Sequence, residues 1–186
     1  MQESTDEKIL NAAARLLEEH GAEGVTTRSV CQAAGVTAPT LYHHFGDKTG
    51  LVRALIGRGI GEFMAMKRAG RATDDPLTDL GNGWKDWIDF GLERPSLFRL
   101  MIEAARVDRS ITQESFEVMQ GYLIRLRDDD RLQVAVEVGA EAIWAAASGV
   151  QALFMQGMEP AKIRSTADFL YRAVIAAVVK PTERSS

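Results

Sequence analysis

Apolar residues recur at three- and four-residue spacing along almost the whole chain of 186 residues, and the period-two alternation of a half-buried strand is scarce. That periodicity predicts an all-α fold of about nine helices, and the punctuation between them is explicit. Ser4, followed three residues later by Glu7, reads as a capping box, with Asp6 and Glu7 at the positive end of the first helix. Its apolar face is Ile9, Leu10, Ala13, Leu16 and Leu17, and Gly21 is placed to stop it. Thr26 or Thr27 starts a second helix that Gly35 ends. Thr37 caps a third, at about 38–45, in which Pro39 falls in the first turn, where its missing N–H costs nothing. Gly46 closes that helix, and Asp47 caps a fourth running from about Lys48 into the high sixties. Five more are expected at about 76–93, 95–106, 110–128, 134–157 and 162–180.

One polar stretch, "AGRATDDPLTD", reads as a linker, and Asp75-Pro76 within it is a strong helix start. It divides the chain into residues 1–70 and 71–186. No run approaches 18 consecutive apolar residues, and the acidic, polar N-terminus does not resemble a signal peptide, so neither a membrane span nor export is expected. The single cysteine, Cys31, cannot form an internal disulfide, which suits a reducing cytoplasm. The net charge of -4 hides an asymmetry. Residues 26–60 carry Arg28, Lys48, Arg53 and Arg58 against Asp47 alone, so this segment is locally basic inside an acidic protein.

Three short helices with a tight glycine turn between the second and third match a helix-turn-helix unit, whose second member enters the DNA major groove. With Val36, Leu41 and Phe45 facing inward, Thr37, Ala38, Pro39, Thr40, Tyr42, His43 and His44 are left outside. Small residues at the leading end permit close approach, and the hydroxyl and imidazole groups are suitable partners for phosphates and bases. His43 and His44 make a poor metal pair: neighbouring helical residues diverge by about 100°, and only His20 remains to complete a site. No nucleophile–base–acid constellation points to an enzyme, and no metal or cofactor is expected.

The run "GVTTRSVCQAAGVTAPTLYHHFGDKTGLVRAL" resembles the DNA-binding domain of the TetR family of bacterial transcription regulators. The likeness rests on the Thr-Thr-Arg helix start, the Ala-Gly-Val turn, the Thr-Leu-Tyr-His-His-Phe helix and the Asp-Lys that follows, and covers roughly residues 5–55. It implies that Thr27, Tyr42, His44 and Lys48 meet backbone phosphates. Arg28, Ala38, Pro39, Thr40 and His43 would lie nearest the base edges, with Arg28 the best guanine reader.

The remainder holds every tryptophan of the chain, and no catalytic motif. Trp84, Trp87, Phe98, Met101, Phe116, Met119, Tyr122 and Trp144 stand at helical spacing, which serves either a plain core or an adaptable apolar cavity. In the family this domain binds a small molecule, here expected to be apolar or aromatic. "GW…FGLERPSLFRLM" and "AIWAAASGVQALF" resemble a subgroup whose eighth helix carries Trp and then His-Gly; Ser148 stands in place of that histidine. The last two long helices are apolar on more than one face, which a two-fold homodimer would cover. The expectation is a ligand-responsive repressor, dimeric on a double-stranded, pseudo-palindromic operator. The alternative is a helical small-molecule carrier with a vestigial helix-turn-helix.

Overall fold

Hydrogen-bonded caps set the helix boundaries. The computed structural model describes residues 3–69 and 73–181, and the expected domain boundary near residue 70 falls outside that range. Among the described residues the elements are α1 (Thr5–Gly24), α2 (Thr27–Ala34), α3 (Ala38–Phe45), α4 (Lys48–Ala69), α5 (Pro76–Glu93), α6 (Pro95–Val107), α7 (Ser110–Asp128), α8 (Val136–Met155) and α9 (Pro160–Val178). The Ser4–Glu7 capping box is present, and Thr26, not Thr27, caps α2 by accepting from the Ser29 N–H. α1 does not end at Gly21. It breaks there, at φ 68°, and continues for one more turn to Gly24. Asp75 accepts from the N–H groups of Leu77 and Thr78 and starts α5 at Pro76. α8 is two residues shorter than expected at each end, and α9 is shifted two residues toward the N-terminus. A feature the helical periodicity did not announce explains part of this: Leu132 and Val179 form an antiparallel bridge beside the end of α9.

Two apolar centres run into one another. Ile9, Ala13, Leu17, Val30, Leu41, Leu51 and Leu55 are almost wholly buried among α1–α4. In the second, Phe98 is fully buried, with ring centroids 4.6 Å from Trp87 and 4.8 Å from Phe154. α8 is the one described helix long and apolar enough to cross a membrane by composition. Its Ala140, Ile143, Val150 and Phe154 are instead buried in this core.

The two parts are joined by a specific cap. α6 begins Arg94-Pro95-Ser96-Leu97, and Arg94 makes no side-chain cap. Pro95 has no N–H, and the Phe98 N–H already reaches the Arg94 carbonyl. The free donors are those of Ser96 and Leu97, and the two carboxylate oxygens of Glu18, on α1, accept them at 3.2 and 3.0 Å. A carboxylate from the first helix thus completes the first turn of the sixth and faces the positive end of its dipole. Beside it, Glu62 of α4 binds both Arg58 and Arg94. Burial alone would raise the Glu62 carboxyl pKa; the two arginines hold it below the ordinary range.

Asp79 is the one buried charge among the described residues. It accepts from the Thr73 N–H (2.7 Å) and hydroxyl (2.9 Å) and pairs with Arg125 at 3.0 Å. Desolvation opposes ionisation there, but these partners outweigh it and the pKa is lowered. A lowered native pKa stabilises the fold above the ordinary carboxylate pKa, and that contribution is lost as pH falls through the native value. Asp79→Asn should therefore cost about 2–3 kcal/mol near neutrality, and the gap to the parent in denaturant melts should close as pH drops below about 4.

Gly50 approaches the end of α3 so closely that a Cβ would lie 1.8 Å from the Phe45 carbonyl oxygen. At Gly57, exposed on the same helix, a Cβ would meet nothing within 4 Å. Gly50→Ala should destabilise by about 2–3 kcal/mol or more, whereas Gly57→Ala should stabilise by about 0.5–1 kcal/mol. Thermal melts of the two variants give the opposite signs directly.

Candidate functional site

Gly35, at φ 66° and ψ 35°, makes the left-handed turn that a side chain would strain, and so sets α3 across α2. The Val36 N–H returns to the Cys31 carbonyl at 3.0 Å. Thr37 caps α3 by accepting from the Thr40 N–H, and its hydroxyl lies 2.9 Å from that of Thr40. Leu41 is fully buried and anchors α3; Val36 and Phe45 pack against the core partly buried. Thr37, Pro39, Tyr42, His43 and His44 are exposed, while Ala38 and Thr40 are half-buried.

Because Thr26 supplies the α2 cap, the Thr27 hydroxyl is left to the outer face, 3.5 Å from the Tyr42 hydroxyl. Thr27 opens α2 beside Tyr42 of α3, and Lys48 opens α4 three residues after α3 ends. Helix N-termini and hydroxyl donors are suited to anions. Arg28 and Lys48 are exposed, and no ion pair within 4.0 Å holds either among the described residues. The His43 and His44 rings stand edge to face, 5.4 Å apart, and among the described residues no group of three His, Cys, Asp or Glu could hold a metal ion.

Two spaces that share part of their lining lie among α4–α8. The smaller is a cleft of about 60 Å³ lined by Phe63, Lys67, Trp84, Trp87, Met119, Tyr122, Trp144 and Gln151, among others. The larger is a groove of about 590 Å³ bounded by Met101, Phe116, Glu141 and Ser148, among others, and sharing Phe63, Trp87, Trp144 and Gln151 with the cleft. The groove has the size of a small-molecule site. Eight of the nine residues singled out from sequence line one space or the other. Phe98 lines neither: α5 and α8 close over it, and it is core. Ser148 is exposed and hydrogen-bonds back to the Trp144 carbonyl at 2.9 Å. Sequence reasoning passed over Lys67, which reads there as a cation at a helix C-terminus, and the polar Thr112, Ser115 and Gln151.

Residues 9–55 match the family model of bacterial regulatory proteins, tetR family. The tetracycline repressor protein class D of Escherichia coli is 34% identical over 82 residues, 44% of this chain and 34% of that protein. The chain thus spans about a third of the tetracycline repressors it matches. The HTH-type transcriptional repressor AcnR of Corynebacterium glutamicum is 28% identical over 74% of this chain and 72% of its own length. Among solved structures, a TetR transcription regulator from Haloarcula marismortui superposes with a TM-score of 0.82, covering 95% of this chain and 98% of that one at 15% identity. SmeT, the repressor of the Stenotrophomonas maltophilia multidrug efflux pump SmeDEF, does so with a TM-score of 0.71 at 26% identity, over 95% and 91%. Over residues 9–55 the chain matches the tetR family, and over most of its length it shares the fold of the TetR regulator from Haloarcula marismortui.

Phe98 and Phe116 separate core from cavity wall. Phe98→Ala should cost about 3–5 kcal/mol, because it empties a fully packed site. Phe116→Ala, at a half-buried groove wall, should cost less than half as much. Urea melts of the two variants check the difference.

Proposed function

We propose that this chain is a sequence-specific, ligand-responsive transcriptional repressor that works in the cytoplasm as a homodimer on a pseudo-palindromic operator. The observation that carries the reading is the exposed face of α3, flanked by the N-termini of α2 and α4, within the segment that matches the tetR family. On it, Thr27, Tyr42, His44 and Lys48 bind backbone phosphates and fix the register. Arg28, Ala38, Pro39, Thr40 and His43 approach the base edges, Arg28 through its fork to guanine O6 and N7, and Thr37 lies on the same DNA-facing side.

Dimerisation through α8 and α9 is supported by the apolar surface they leave uncovered: Phe169 is 64% exposed and Val138 55%. A two-fold axis there would pair the reading heads one helical turn of DNA apart, about 34–36 Å. The cavity residues Trp84, Trp87, Met101, Phe116, Met119, Tyr122, Trp144 and Ser148 hold the effector. Its occupancy changes the spacing of the heads through α4 and α6. A tenfold loss of operator affinity needs only about 1.4 kcal/mol of difference between the two states.

Selection from a random double-stranded library should enrich an inverted repeat; recovery of no motif overturns the reading. On that site, Tyr42→Phe and Lys48→Ala should weaken binding to all sequences, and Lys48→Ala should lower the salt slope by about one. Arg28→Ala should instead relax preference at one position per half-site, at about 1–3 kcal/mol. Light scattering should give twice the chain mass, and Phe169→Glu should give the monomer.

A further inference from the structure

Among the described residues one charged side chain lines the smaller cleft, that of Lys67. Lys67 reaches across the cleft wall, its Nζ 5.5 Å from the Phe63 ring centroid. Among the described residues no carboxylate lies within 4.0 Å of it. The charges that act on it are Asp86, which does not line the cleft, and Glu114, which is taken by Arg68 at 2.9 Å. Burial accordingly pushes the Lys67 ammonium below its ordinary pKa. A partly desolvated cation with no acidic partner is costly in an apolar wall, and an anion placed on it removes that cost.

The smaller cleft, at about 60 Å³, has room for roughly two water-sized groups, the bulk of a carboxylate. The larger groove, at about 590 Å³, takes a body of drug-like size; Phe63, Trp87, Trp144 and Gln151 line both, and Arg106, Arg109 and Glu141 line the groove alone. We infer that the effector is an apolar or aromatic monocarboxylate, bound with its carboxylate on Lys67 Nζ in the smaller cleft and its body along the larger groove. This rests on the reading of the second domain as an effector site, and adds to it the charge and orientation of the ligand. It also gives the ligand a direct hold on α4, whose other end carries Lys48.

The test uses the full chain with 1-naphthylacetate and 1-naphthylacetamide, near isosteres that differ in charge. Titration followed by tryptophan fluorescence and calorimetry should show the acid binding at least tenfold more tightly than the amide. Lys67→Met should erase that preference while leaving the amide affinity within about twofold, and Lys67→Arg should retain it. Equal affinity for acid and amide, binding of neither, or a preference that survives Lys67→Met in a variant with unchanged melting would overturn the inference. Failure of the parent reading is visible separately. If the acid binds as described but leaves operator affinity unchanged, the carboxylate site stands and the ligand-responsive mechanism falls.

Discussion

The carboxylate of Glu18 is the constraint on which the arrangement of the two parts depends. α6 begins with an arginine that caps nothing and a proline that has no N–H to offer, so its first turn cannot be completed locally. Glu18 supplies both missing acceptors from the far end of α1. Position is therefore specified as well as energy: two hydrogen bonds from one carboxylate to successive N–H groups fix distance and direction. The paired arginines on Glu62 hold α4 against the same corner, and Arg58 continues to Asn11 on α1. The head, the connecting helix and the helix that lines the groove through Met101, Ile102 and Arg106 meet at one polar joint.

That joint gives the proposed mechanism a physical path. A ligand in the groove presses on α6 along its length, and α6 is tied at its first turn to α1. A ligand in the cleft touches the last turns of α4 at Phe63 and Lys67, and α4 is capped at its other end by Asp47 beside α3. Both routes end on helices that position the reading face. Neither requires the cores to deform, because the apolar packing around Leu41 and around Phe98 is tight.

How much of this was legible in the sequence follows the range of each interaction. Ser4, Thr26, Thr37 and Asp75 act on donors two or three residues away, so their types and spacing declare them, and Pro39, Pro76, Pro95 and Pro160 fix helix starts by covalent geometry alone. The exposed face of α3 was legible for the same reason: it comes from two short helices and one glycine turn. Glu18 was not, since its partners lie 78 and 79 residues further on and it reads as one of several surface acids. The Leu132–Val179 bridge joins two segments that periodicity assigns to loops or helix ends. Phe98 and Phe116 are the same residue at the same kind of spacing. Only the placement of α5 and α8 makes one core and the other wall. Lys67 was hidden by a plausible role at the end of its own helix.

The cap also bears on how such proteins can be recombined. DNA-binding heads invite exchange between regulators, because the linker looks like a natural seam. Here the seam in the chain is not a seam in the structure: the first helix carries an acceptor that belongs, by function, to the sixth. A chimera that took its head from a protein without a carboxylate at the equivalent of Glu18 would keep both cores and still leave the N–H groups of Ser96 and Leu97 without their acceptor. Its two halves would be folded but loosely registered, able to hold DNA and ligand while passing little between them. The graft that preserves communication must treat residues 18 and 94–97 as one unit.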